Sequence, residues 1–252
     1  TGLWLVGAIV AFTVLPQVFS DATVHDLAEA MAYAVVALTL VVLTGWTGQT
    51  SIAQMSSAGV GAFVAAHVAG TEGGLFPLSI LVAIAIAVPV SLVIGLAALR
   101  LSGLFLALLT MAFALLMDNL IFSRQGVSGG ITGINLTAAK VGPISLQGVH
   151  AQYYLCALVL VVATAGAWLL RRGPVGRRLQ MVRDAPNAAA TLGASLTVTK
   201  LAVFAGCAAV AASAGTLLAI TQTTVDPSQF SFNTSLELLL VVVLGGRSLV
   251  SG

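Results

Sequence analysis

The sequence predicts an all-α fold, a polytopic bundle of transmembrane helices, on two observations of composition and one of pattern. Of the 252 residues, 59% are hydrophobic and 7% are charged, whereas soluble domains carry about 25% charged residues. Ten basic and eight acidic side chains cannot cover the surface of a soluble fold of this size, and high hydrophobicity with low charge excludes disorder. Apolar runs long enough to cross a bilayer as helices recur along the chain. The composition thus predicts a membrane protein.

The apolar runs predict about eight membrane segments in a single transmembrane domain, residues 1–252, and some of these segments can be broken or re-entrant. The last segment is short. In chain order the runs are Leu3–Phe19, Leu27–Thr44, Ile52–Ala69, Leu75–Leu99, Leu101–Phe122, Gln152–Leu170, Lys200–Thr221 and Thr234–Leu244. We therefore expect short connections, with little room for a catalytic domain outside the membrane.

The basic residues predict the orientation of the bundle. If the N-terminus lies in the cytoplasm, two basic residues face outwards, Arg124 and Lys140, and eight face inwards, namely Arg100, Arg171, Arg172, Arg177, Arg178, Arg183, Lys200 and Arg247. Basic residues concentrate on the cytoplasmic side of membrane proteins. The N-terminus is therefore expected in the cytoplasm. A net charge of +2 without a basic face argues against nucleic-acid binding.

Two loops are longer than a simple connection requires. Residues 123–150 form an outer, glycine-rich loop, whose formal G-x-S-x-G match at 126–130 lacks the strand–turn–helix setting of a nucleophile elbow. Residues 171–199 form an inner loop with five arginines and an alanine-rich stretch. Alanine favours a short helix there, and Pro186 suits its first turn. This helix is either a surface anchor for anionic lipid or a coupling helix that docks on a cytoplasmic motor subunit.

The junction between the second and third segments is polar and glycine-rich, from Gly45 to Ser51. It is either an ordinary cytoplasmic turn before a helix or a broken, re-entrant helix. Irregular backbone at membrane depth occurs against protein or a water-filled cavity, and transporter sites often lie at such breaks. The residues that we expect to line a path here are Gln49, Thr50, Ser51 and Gln54.

Other polar and small residues favour structural roles. His25 and Glu29 have the i, i+4 spacing of metal ligands, but no third ligand is evident, so polarity at a helix start explains them better. Small residues recur every four positions, which lets helices approach closely. The three stripes are Gly61, Ala65 and Ala69; Ala205, Ala209 and Ser213; and Ala211, Gly215 and Ala219.

Four stretches together resemble the M-type permease of bacterial branched-chain amino-acid ABC importers. Gly45–Gly70 is similar to the family's glycine-rich segment, and Arg100–Ala114 to its R-x-x-G-x-[YF]-x-A-x-x-T-x-A-F motif. Ser128–Asn135 resembles its T-G-G-x-x-G-I loop, and 176–246 resembles its coupling region and V-V-L-G-G ending. Family members continue through further helices beyond this point, so we expect a fragment or a shortened variant.

The resemblance implies a permease subunit that moves branched-chain or other hydrophobic amino acids, or a related small solute, across the inner membrane. Its implied partners are a second permease subunit, two cytoplasmic ATPase subunits, an external substrate-binding protein and the lipid bilayer. The residues implied in coupling to the ATPase are Arg183, Asp184, Ala188, Ala189, Ala190 and Gly193.

The resemblance implies no catalytic residue, metal or cofactor in this chain, and therefore no enzyme. The sequence has no G-x-x-x-x-G-K-[ST] phosphate loop, so ATP and Mg²⁺ are expected on the partner ATPase subunits. The missing loop also fits an ATP-independent secondary transporter or channel, and this alternative stays open.

Overall fold

The computed structural model describes residues 16–17, 19–49, 51–69, 76–99, 101, 103–130, 133–136, 140–141, 144–145, 148–191, 195–222 and 224–245. Within these ranges, five helices are long and apolar enough to cross a membrane: Asp21–Trp46, Phe76–Ala98, Leu104–Phe122, Val149–Arg172 and Leu196–Gln222. The predicted all-α, polytopic membrane bundle is confirmed at this level.

The helices follow one another along the chain, and the longest connection lies between Ser128 and Val149. In chain order they are α1 (Asp21–Leu40), α2 (Gln54–Ala69), α3 (Phe76–Ala98), α4 (Leu104–Leu116), α5 (Gln125–Ser128), α6 (Val149–Arg172), α7 (Pro174–Asp184), α8 (Pro186–Thr191), α9 (Leu196–Gln222) and α10 (Phe232–Leu244). Two of them continue as π-helical turns, α1 through Val41–Trp46 and α4 through Met117–Phe122. A 3₁₀ turn, Pro227–Phe230, precedes α10.

Four two-residue strands lie in the connections: β1 (Ile134–Asn135), β2 (Lys140–Val141), β3 (Ile144–Ser145) and β4 (Thr224–Val225). β1 pairs antiparallel with β4, and β2 pairs with β3. The outer loop predicted at 123–150 thus carries its own secondary structure, and it ends at Gly148, the residue before α6.

The count of about eight membrane segments is not confirmed. The run Leu3–Phe19 lies almost entirely outside the described residues. The third segment is α2, whose 16 residues rise only about 24 Å, less than the thickness of a bilayer core. The last segment, α10, has 13 residues.

The second segment begins at Asp21, six positions before the predicted Leu27. The apolar run starts later because polar side chains occupy the first turns of this helix. Two of them make long-range bonds: His25 Nε2 donates to the Thr221 carbonyl at 2.7 Å, and Glu29 Oε1 accepts from Gln222 Nε2 at 2.6 Å. These bonds to the end of α9 hold polar residues in the bundle. Hydropathy along the chain does not reveal such long-range bonds, so the predicted segment started too late.

Helices α2 and α9 form the centre of the bundle and touch backbone to backbone. A methyl group added at Gly61 would overlap the Ala212 carbonyl, and one added at Gly215 would overlap the Ala58 carbonyl. Glycine is therefore required at both positions, as small-residue stripes in membrane helices predict. This contact confirms the packing role of the stripes that contain Gly61 and Gly215.

The outer helices α3, α4 and α6 expose large apolar side chains. Val93 is 69% exposed on α3, Phe105 67% on α4 and Val162 63% on α6. Apolar exposure of this extent in a soluble monomer would mark an interaction surface. In a membrane bundle these side chains face lipid or a neighbouring subunit.

The connections gather at two ends of the bundle. One end, here named the strand end, holds the paired strands β1 and β4 and the contact of His150 Nε2 with the Pro16 carbonyl at 3.0 Å. The opposite end, named the arginine end, holds residues 45–53 and 171–191. There the Arg171 guanidinium lies 5.9 Å from the Trp46 ring, so sequence positions far apart meet at this end.

Candidate functional site

The polar junction of the sequence is a break in helical structure at the arginine end. We name residues 47–49 and 51–53 the helix break, with Gln54, the first residue of α2, at its edge. The π-helical turn ends at Trp46, Gly48 takes a left-handed φ of 67°, and the Gln49 N–H donates to the Leu43 carbonyl at 3.1 Å. Glycine suits the left-handed position that often closes a helix. The closing bond spans one residue more than in an α-helical closure because the preceding turn is π-helical.

The helix break extends into the bundle and is covered by protein. Ile52 is 8% exposed, and its N–H donates at 3.2 Å to Oγ1 of Thr110 on α4. Thr110 lies six residues beyond Leu104, the first residue of α4, which is about 9 Å along that helix. Buried irregular backbone of this kind is tolerated in a membrane only against protein or a cavity. The geometry is that of a broken helix and not of a turn on the surface.

Three of the four predicted path residues lie at this break with little solvent exposure. Gln49 is 5% exposed and Gln54 3%, whereas Ser51 is fully buried. Thr50 lies outside the described residues. The structure thus places two carboxamides and a hydroxyl along one buried segment of chain.

The carboxamides of the helix break are incompletely hydrogen-bonded by protein. Within the described residues Gln49 Oε1 has no hydrogen-bond partner. Gln54 Oε1 lies 3.3 Å from the Thr39 hydroxyl, which also donates to the Val36 carbonyl at 2.6 Å. A hydroxyl carries a single proton, so the bond to Gln54 is the weaker of the two. A buried carbonyl oxygen without a donor is costly, which marks this place as one where a polar ligand group would be stabilised.

In the predicted coupling loop, most of the described residues, 171–191 and 195–199, are helical. Pro186 begins α8, as its sequence position predicted. Ala189 donates its N–H to the Ala185 carbonyl at 3.0 Å and is fully buried, whereas Ala190 is exposed. Ala188 belongs to the same helix, and Gly193 lies outside the described residues. A partner below this end would therefore meet Ala190 rather than Ala189.

Arg183 and Asp184, the first two predicted coupling residues, end α7. They pair with each other across 3.7 Å between Nε and Oδ1, with side chains 50% and 73% exposed. An exposed pair of this kind contributes little stability. The pair therefore does not explain the position of the Arg183 side chain.

The guanidinium of Arg183 also reaches the helix break. Its Nη1 donates to the Gly45 carbonyl, and its aliphatic stem lies beside the exposed Gly48, where a methyl group would lie 3.4 Å from Arg183 Cγ. A predicted coupling residue thus contacts the backbone that precedes Gln49. This contact was not predicted, because 138 positions separate Arg183 from Gly45 and no local pattern relates them.

No group of three or more potential metal ligands forms among the residues that the structure describes. His25 and Glu29, which have metal-like spacing, instead bind α9 through Thr221 and Gln222. Their contacts fit the structural role that the sequence favoured over a metal site.

Comparison with known proteins gives matches along nearly the whole chain. Residues 23–252 match the family described as branched-chain amino acid transport system / permease component. The chain is 29% and 28% identical, each over 268 residues, to the high-affinity branched-chain amino acid transport system permease protein LivM of Escherichia coli and of Salmonella typhimurium. These alignments cover 97% of this chain and 63% of each relative, so the chain spans less than two thirds of the relatives' length. No solved structure gives a significant match.

Proposed function

Because the chain belongs to the family of branched-chain amino acid transport permease components, we propose that it is a permease subunit of an ATP-driven importer. Its substrates are branched-chain or other hydrophobic amino acids, or a related small solute, and it works in the bacterial inner membrane. The observation that carries this proposal is the family match over residues 23–252. The relatives are named for branched-chain amino acid transport, and the apolar helices fit a membrane subunit.

The substrate path of the proposed permease passes the helix break, where Gln49, Thr50, Ser51 and Gln54 line it. Gln49 Oε1, which has no hydrogen-bond partner among the residues that the structure describes, supports this assignment, because a carboxamide oxygen can accept a hydrogen bond from the ammonium group of an amino acid. Such a bond would replace part of the water lost on entry into the membrane. The apolar surroundings suit a hydrophobic substrate side chain.

The ATPase subunits dock at the arginine end, on the segment from Arg183 to Gly193. The exposed Ala190 and the helical form of 186–191 support this docking, since a short helix with a small-residue face fits a groove of a partner. Two ATPase subunits supply ATP and Mg²⁺, a second permease subunit completes the pathway, and an external binding protein delivers substrate at the strand end.

In this arrangement the arginine end faces the cytoplasm and the N-terminus of the chain lies on the same side. Concentration of basic residues at the arginine end supports the orientation. The apolar run 3–19 and the shorter helices α2 and α10 complete eight membrane segments of one permease domain. Within that domain, the loop 123–150 faces outwards and the coupling loop 171–199 faces the cytoplasm.

Uptake in proteoliposomes tests the proposed function. The complex that co-purifies with a tagged form of this chain is reconstituted with ATP inside and binding protein outside, and uptake of radiolabelled leucine is measured. We expect leucine uptake to require both ATP and binding protein. Unlabelled isoleucine or valine should reduce the uptake by competition. Liposomes that hold this chain alone are the control.

Two results would refute the proposal. One is leucine uptake by this chain alone without ATP, which would show a secondary transporter or channel. The other is ATP hydrolysis that is not stimulated when the binding protein carries a hydrophobic amino acid or another small solute.

A further inference from the structure

Arg183 occupies a place where the cytoplasmic helices touch the helix break. It lies in the last turn of α7, and a single residue, Ala185, separates α7 from α8. The connection is tight, because the Ala185 N–H donates to Met181 at 2.9 Å and the Ala185 carbonyl accepts from Ala189 at 3.0 Å. Arg183 therefore lies only three positions before Pro186, where α8 begins.

The other end of the Arg183 side chain meets the backbone where α1 ends. The carbonyls of the last helical turn lack backbone donors, and Gly45 is in that turn. Arg183 donates to the Gly45 carbonyl, and a cation is favourable at the negative end of a helix dipole. The arginine thereby satisfies a buried carbonyl next to the break.

The aliphatic part of Arg183 also lies against the break. A Cβ atom placed on Gly48 would lie 3.4 Å from Arg183 Cγ, although Gly48 itself is exposed. Next along the chain is Gln49, which is 5% exposed and whose Oε1 has no hydrogen-bond partner among the described residues. The side chain that α7 supplies thus lies beside the segment that leads to Gln49.

We propose that Arg183 is a positioning residue that closes the helix break from the cytoplasmic side and transmits displacement of α8 to it. This inference rests on the proposed function, because the docked ATPase supplies the displacement. When α8 moves, Arg183 leaves Gly45 and Gly48, and Gln49 becomes accessible from the cytoplasm. Arg183 then acts on the path through the backbone of the break and not through contact with substrate.

Thiol labelling tests the closure directly. Gln49→Cys is introduced into a full chain whose native Cys156 and Cys207 are replaced by alanine, and the rate of reaction with a charged maleimide is measured in inverted membrane vesicles. A charge-assisted hydrogen bond shifts an open–closed equilibrium by about 10- to 100-fold. We expect labelling to accelerate by about that factor when Arg183→Gln is added.

Two further variants define the cause. Arg177→Gln removes an exposed arginine of the same helix and should leave labelling unchanged. Arg183→Lys retains the charge and should give an intermediate rate, since lysine is shorter and lacks the planar fork of arginine. If Arg183→Gln does not accumulate in the membrane, the labelling rate of the Arg183→Lys variant tests the closure instead.

Transmission is tested in the reconstituted importer. Arg183→Gln should lower the amount of solute taken up per ATP hydrolysed by at least about tenfold, while ATP hydrolysis continues. An unchanged labelling rate in the Gln49→Cys chain would overturn the closure, and faster labelling with an unchanged ratio of uptake to hydrolysis would overturn the transmission. Labelling needs neither substrate nor ATPase, so a failure of the proposed import function would leave the test of closure intact.

Discussion

Replacement of Thr110 by valine tests whether the helix break is supported from α4. Thr110 is fully buried, and its hydroxyl accepts from the Ile52 N–H at 3.2 Å and donates to the Ala107 carbonyl at 3.0 Å. Valine has nearly the same shape and removes the hydroxyl. The Ile52 N–H would then be left buried without an acceptor, since it belongs to irregular backbone with no helical partner.

The expected loss follows from that single orphaned donor. An unsatisfied buried donor costs about 1–3 kcal/mol, and 1 kcal/mol shifts Tm by about 2–4 °C for a chain of this size. We therefore expect Thr110→Val to lower Tm by roughly 2–12 °C. The break itself should loosen, with faster hydrogen exchange at Ile52.

Thr216→Val is the matched control. Thr216 is also fully buried, and its hydroxyl donates to the Ser213 carbonyl at 2.7 Å within α9. That carbonyl keeps its helical partner when the hydroxyl is lost, so the cost should stay below about 1 kcal/mol. Thermal unfolding in detergent, followed by the reaction of the buried Cys156 and Cys207 thiols with a fluorescent maleimide, compares the two variants. Equal shifts in Tm would refute the reasoning.

Two further predictions concern the packing at the centre and the surface at the arginine end. Gly61→Leu should abolish accumulation of monodisperse protein, because the side chain would displace the Ala212 backbone at a cost beyond the roughly 1–3 kcal/mol typical of overpacking. Gly206→Leu is the control, because Gly206 is exposed with open space around it, and this variant should accumulate normally. Size-exclusion chromatography compares the two variants. Ala190→Glu should lower uptake per ATP hydrolysed by at least about tenfold with normal membrane insertion, because a buried unpaired charge disfavours docking, whereas Gln180→Glu on exposed α7 should not. Equal values of uptake per ATP hydrolysed in Ala190→Glu and Gln180→Glu would show that the ATPase does not dock on Ala190.

Local sequence signals predicted the elements that local forces form. Pro186 marks the start of α8 because its fixed φ suits a first helical turn. Small residues at four-residue spacing indicated the close contact at Gly61 and Gly215, because only small residues permit it. The polar composition of 45–51 indicated the helix break, although it left open whether the break lay on the surface or inside the bundle.

Features that depend on distant parts of the chain were outside the reach of sequence patterns. Asp21 begins α1 because the following turns bind α9, which hydropathy does not record. The pairing of Ile134 with Val225 joins residues from two different loops. For the coupling segment, the resemblance gave Ala189 and Ala190 the same role, whereas burial separates them.

The arrangement of supports around the helix break indicates how it can move. On one side, α2 packs on α9 with backbone in contact at Gly61, so α2 cannot slide without separating the two central helices. On the other side, α7 is held by the buried Leu179 and Val182 but touches the break through a half-exposed arginine. The softer contact is therefore the one with Arg183, and the left-handed Gly48 beneath it supplies backbone freedom. Displacement of α8 should thus move residues 47–49 about Gly48, while α2 and Ile52, which is bound to Thr110, keep their places.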